Sequence, residues 1–61
     1  MKHVIIKGTA FFCGPKRAQL LSERGIPVVL TKDNTWAAPV SEKLVAALNE
    51  ISNDVIYTLY N

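Results

Sequence analysis

With Cys13 as its only cysteine, this 61-residue chain cannot close a disulfide on itself. The single histidine, His3, has no cysteine or second histidine at metal-ligand spacing, which excludes a zinc staple of the usual kind. No stretch approaches the roughly 20 apolar residues of a membrane-spanning helix. The basic residues Lys2, Lys7, Lys16, Arg17, Arg24, Lys32 and Lys43 are scattered, so the net charge of +2 lacks the dense footprint of a nucleic-acid binder. Nothing in the spacing of His3, Ser22 and Asp33 brings nucleophile, base and orienting acid together. Glu42, Glu50 and Asp54 form no catalytic carboxylate pair and read as a solvated helix face and a strand start. The opening MKHVIIKG holds an apolar run too short for a secretory leader. A lone thiol suits a reducing compartment, so the cytoplasm is the expected location.

What is present is a globular composition in a small frame. Apolar residues make up 49% of the chain, too many for disorder. Residues 1–61 are expected to form a single α/β domain. A domain of this size buries only about 60% of the surface its unfolded chain exposes. With disulfide and metal both excluded, self-association or docking onto a larger protein is the expected stabiliser.

The pattern along the chain reads β-α-β-α-β. His3 to Lys7 carries the β-branched run Val4-Ile5-Ile6 and suits a buried strand. Gly8-Thr9-Ala10 ends it, and Phe11 and Phe12 fall in a connection. Gly14-Pro15 opens a helix, since proline is favoured at the first helical position. Ala18, Leu21 and Leu20 would be its buried face, and Gly25 its left-handed cap. Ile26 to Thr31 reads as the second strand, followed by the polar loop Lys32-Asp33-Asn34-Thr35. Trp36-Ala37-Ala38-Pro39 leads into a second helix, with Ser41 as N-cap or Pro39 in the first turn. Leu44, Ala47, Leu48 and Ile51 recur at i, i+3, i+4 and i+7. Asp54 to Tyr60 alternates as a third strand, with Val55, Tyr57 and Leu59 on one face. Such alternation predicts a three-stranded, mostly parallel sheet with two helices. If both helices cover one face, the other stays bare, exposing Val4, Ile6, Val29 or their neighbours. A bare apolar face marks an interface.

Residues Val4 to Asn34 resemble the opening β-α-β unit of short-chain dehydrogenase/reductase and related Rossmann proteins. Gly8 and Gly14 stand where that family's GxxxGxG turn has its first and last glycines, with Phe12 at the middle one. The family's acidic residue after the second strand aligns with Lys32, next to Asp33. The resemblance implies a nucleotide or phosphate half-site on Gly8, Thr9, Ala10, Gly14 and Lys16, completed by dimerisation, with the helix N-terminus stabilising the anion. The other reading is that these glycines simply make a turn and cap a helix. A second, shorter likeness runs over Cys13-Gly14-Pro15-Lys16, which resembles the thioredoxin active-site loop with Lys16 in place of the resolving cysteine. It implies single-thiol redox chemistry at Cys13, whose pKa a helix N-terminus and a nearby lysine would lower. A small cysteine filling space is the plainer alternative.

The leading expectation is a non-enzymatic protein-interaction module without a cofactor, of the kind mobile elements often encode. It would form a homodimer or dock on a larger protein, through an apolar sheet face or the loop bearing Trp36. Candidate interface residues are Phe11, Phe12, Trp36, Tyr57 and Tyr60, since large aromatics dominate interface energetics; the alternative is that the two phenylalanines fold back on the core and the two tyrosines face it from the third strand. Trp36 can serve equally as a core lid or as a binding anchor.

Overall fold

A computed structural model describes residues 1–60. The strands are β1 (Lys2–Ile6), β2 (Ala10–Cys13), β3 (Val29–Leu30), β4 (Trp36–Pro39) and β5 (Val55–Leu59); the helices are α1 (Pro15–Glu23) and α2 (Glu42–Ile51). The expected single three-stranded sheet is replaced by two. β1 and β5 pair in parallel, and β2, β4 and β3 form an antiparallel sheet in that spatial order.

Both helices form where their end signals stand. Gly14 is the N-cap of α1 and Pro15 its first residue. At the other end the Gly25 N–H donates to the Ser22 carbonyl and the Ile26 N–H to the Leu21 carbonyl, each at 3.0 Å. That is a Schellman closure, with Gly25 at φ +82° and Ile26 buried beside Leu21. Ala18 and Leu21 face inward as expected, whereas Leu20 lies on the exposed side. Ser41, not Pro39, starts α2: its hydroxyl accepts the Leu44 N–H at 3.2 Å. Leu44, Ala47 and Leu48 are the buried stripe of α2, and Leu44 and Leu48 are completely buried.

The missing parallel strand has a physical cause. Thr31 to Thr35 closes a hairpin, with the Thr31 N–H donating to the Thr35 carbonyl at 2.8 Å and the two threonine hydroxyls 2.7 Å apart. The three residues between them end in Asn34 at φ +62°, the left-handed position such loops require. A neighbour reached through three residues costs far less chain entropy to pair than β1, which needs a helical crossover. The expected strand from Ile26 to Thr31 therefore shrinks to Val29–Leu30 and pairs antiparallel with β4. Trp36 to Pro39, expected as a leader into α2, is itself a strand. So is the Phe11-Phe12 connection, which lies in β2 with Phe11 opposite Ala38 and Phe12 opposite Ala37.

Gly8, at φ +88°, bends the chain from one sheet to the other. Before it Val4 and Ile6 point inward; after it the inward positions are Phe11 and Cys13, so the alternation shifts by one residue. The core joins Ile6, Leu21, Ile26, Ala38, Leu44, Ala47, Leu48 and Tyr57. α2 packs on β5, and α1 packs on α2 and β4.

Tyr57 is the junction of this core. Its backbone is clamped by Asn49 of α2, which donates to the Tyr57 carbonyl at 3.0 Å and accepts the Tyr57 N–H at 2.7 Å. Its phenol accepts a hydrogen bond from Arg17 of α1. Its ring lies on the buried side of β5, in register with Val4 of β1. The Asn49 amide thus stands in for a neighbouring strand along the outer edge of β5.

Candidate functional site

The outer face of the β2–β4–β3 sheet is the surface this sequence leaves unexplained. The ten residues of these strands, AFFC, WAAP and VL, include no charged side chain. The register sets Phe12 and Val29 on either side of Ala37. Phe12 is 60% exposed and Val29 64%, while the small Ala37 between them is half-buried. The three form a trough across the sheet with an alanine floor, continued at one end by the exposed pair Ala10 and Pro39. Exposed strands usually carry lysine or other charges against unwanted pairing, and here none is present. The bare face was expected at Val4, Ile6, Val29 or their neighbours. Val29 is exposed, Ile6 is buried, Val4 is half-buried, and on β1 it is Ile5 that faces outward, at 57%.

The proposed interface residues separate into three groups. Phe12 and Tyr60 are exposed. Phe11 and Trp36 are half-buried on the inner row of the sheet. Tyr57 is buried in the core and offers no surface, a correction to its place among interface residues. Trp36 sits in β4 rather than a polar loop, and with Pro15, Ala18, Gln19, Ser22, Glu23 and Val28 it walls an open groove of about 640 Å³ beside α1. Ile5 and Leu30 are the neighbours of Val4, Ile6 and Val29 that take exposed positions, which the sequence allowed for without singling them out. Leu30 lies at the open margin of the inner row, 54% exposed. The turn sequence Thr31-Lys32-Asp33-Asn34-Thr35 was the available signal for the hairpin that exposes it.

The glycine-rich segment does not converge on an anion. Gly8 and Gly14 lie at opposite ends of β2, up to about 20 Å apart at roughly 3.3 Å per residue. Thr9 and Ala10 fall at the Gly8 end, where the Thr9 carbonyl accepts the Val40 N–H at 3.1 Å; Lys16 is at the Gly14 end. Only Gly14 and Lys16 border α1's N-terminus, in a shallow hollow with Pro15, Arg17 and Leu20. Cys13 ends β2 with its side chain against the core. Burial pushes its thiol up, and the Arg17 charge opposes this only in part, the reverse of the lowered pKa that the thioredoxin-like loop implies. Among the described residues no group of histidine, cysteine and carboxylate side chains is arranged to hold a metal ion. No helix among them is long and apolar enough to cross a membrane.

No family model matches this chain, and neither curated proteins nor solved structures provide a match. The functional reading therefore comes from the geometry above.

Proposed function

We propose that this chain is a small protein-interaction module that docks through the outer face of its three-stranded sheet. The observation that carries this reading is the uncharged row of Phe12, Ala37 and Val29, held in register across three strands with its two large members mostly exposed. Burying a side chain such as phenylalanine or valine contributes about 1.5–3 kcal/mol, so covering this row supplies the stabilisation that a domain of this size lacks internally. The trough suits an apolar side chain of the partner seated over Ala37 between the two walls. The reading calls for no cofactor and no catalytic step, and the lone thiol of Cys13 suits the reducing cytoplasm.

The test compares the native chain with Phe12→Ser and Val29→Ser as baits in a lysate of the native host. A partner retained by the native chain and lost by both variants, at unchanged melting temperature, is the expected result. Identical captures by all three baits would remove the sheet face from the function.

A further inference from the structure

The two long edges of the β1–β5 pair are treated differently. The outer edge of β5 is closed by Asn49, whose amide makes both hydrogen bonds a neighbouring strand would make to Tyr57. Among the described residues, the outer edge of β1 has no such surrogate. The Lys2 N–H donates to the Asp54 carbonyl at 3.1 Å, and the Ile6 carbonyl accepts the Tyr60 N–H at 2.9 Å. Backbone groups alternate along a strand, so those of Lys2, Val4 and Ile6 face β5. The N–H and C=O groups of His3 and Ile5 therefore face the open side, where β1 has no strand neighbour. The side chains of both residues are exposed, and neither proline nor a bulge blunts this edge between Lys2 and Ile6.

We propose that the open edge of β1 is a strand-addition site whose occupant is β1 of a second copy, paired antiparallel about a two-fold axis at Val4. Three features select a second copy. The edge is self-complementary: the two-fold sets His3 against the second copy's Ile5 and Ile5 against its His3, so each pair exchanges both hydrogen bonds. A two-stranded sheet is marginal in water, and this pairing makes it a four-stranded one with β5 at both margins, each already closed by Asn49. The exposed outer side chains Ile5, Ile56 and Tyr60 of both copies then lie on one continuous face. The charged residues fall away from the centre of the seam. Lys2 and Lys7 lie at its two ends, and Lys7 rests over its own Tyr60 ring at 5.5 Å. The site is separate from the trough at Phe12. It gives the interaction module a second copy on one side and leaves the three-stranded face for a different protein, so it builds on the function proposed above without sharing its residues.

Sedimentation over a concentration series tests this with the native chain, Ile5→Pro and Phe12→Ser. Ile5→Pro removes an N–H that faces outward and leaves the β1–β5 ladder intact, a position where a sheet edge tolerates proline. The expected result is a twofold mass for the native chain and for Phe12→Ser, and a single mass for Ile5→Pro with its circular dichroism retained. A native chain that stays monomeric at every concentration overturns the inference and leaves the reading of the Phe12 face standing. A dimer that survives Ile5→Pro, or that only Phe12→Ser abolishes, also overturns it and moves self-association to the other sheet. Should Ile5→Pro fail to fold, amide exchange in the native chain decides. Exchange at His3 and Ile5 that slows as concentration rises supports the seam, and exchange independent of concentration rejects it.

Discussion

The two sheets of this protein are built to different standards. Around β5 the backbone edge and the helix end near the core are answered, and Ser52 Oγ is the one buried side-chain oxygen among the described residues left without a partner. Asn49 closes the strand edge, Ser41 caps the helix above it, and Leu44 and Leu48 are sealed. Around β3 the ladder is two residues long, Leu30 and Val29 stand in solvent, and α1 starts without a side-chain cap. The first region is complete within one chain. The second presents apolar surface that one chain does not cover, and that contrast points to where a partner belongs.

The contrast is broken most severely in the core. Leu48→Ala removes a completely buried side chain from α2 and is expected to cost about 2–5 kcal/mol, measured by chemical denaturation. Phe12→Ser on the other sheet should change stability of the unpartnered chain by no more than about 0.5 kcal/mol. Comparable losses for the two would mean that Phe12 belongs to the core after all. Next in size is Asn49→Leu. It keeps the volume of the side chain but leaves the Tyr57 N–H and carbonyl without partners, an expected cost of about 1–3 kcal/mol. A neutral result would show that water replaces the amide and that the β5 edge is as open as that of β1.

The complete region is also the legible one. α1, though it borders the incomplete region, was readable too, because Pro15 and Gly25 mark its ends through backbone constraints that act locally. α2 was readable because Leu44, Ala47, Leu48 and Ile51 repeat at helical spacing over a single long element. β1 and β5 followed from their β-branched runs and alternation. The incomplete region was obscured by its composition. Ala10 to Cys13 is apolar throughout, with no alternation to declare a strand. Trp36-Ala37-Ala38-Pro39 holds two alanines and a proline, all poor strand formers, and becomes a strand only because β2 and β3 flank it on both sides. Val28-Val29-Leu30 reads as the middle of a parallel strand from Ile26 to Thr31 until the hairpin turn at Asn34 is weighed against the longer crossover. Phe12 and Val29 were each named for an interface but not as walls of one trough, because which residues of β2 point outward depends on the shift of alternation at Gly8.

The smallest expected effect concerns Cys13, which lies on the inner row of the less complete sheet and so reports whether that row stays closed. Burial raises its thiol pKa in the folded chain, with Arg17 only partly offsetting the effect, whereas an unfolded thiol titrates at the ordinary cysteine value of about 8.5. Below that pH both states hold the proton and the group leaves stability unchanged. Above it the unfolded chain has released a proton that the folded chain retains, so stability falls as pH rises through the folded value. The reading is the difference between the native chain and Cys13→Ala, which isolates the thiol from every other group. Denaturation midpoints from about pH 8 to about pH 10 should fall more steeply for the native chain. Alkylation of the folded protein should likewise titrate above the ordinary cysteine value. Parallel curves for the two chains, or a thiol that alkylates with an apparent pKa below the ordinary cysteine value of about 8.5, would mean that the inner row opens freely or that the helix N-terminus outweighs burial. The first outcome would deepen the difference between the two sheets, and the second would return Cys13 to the list of reactive residues.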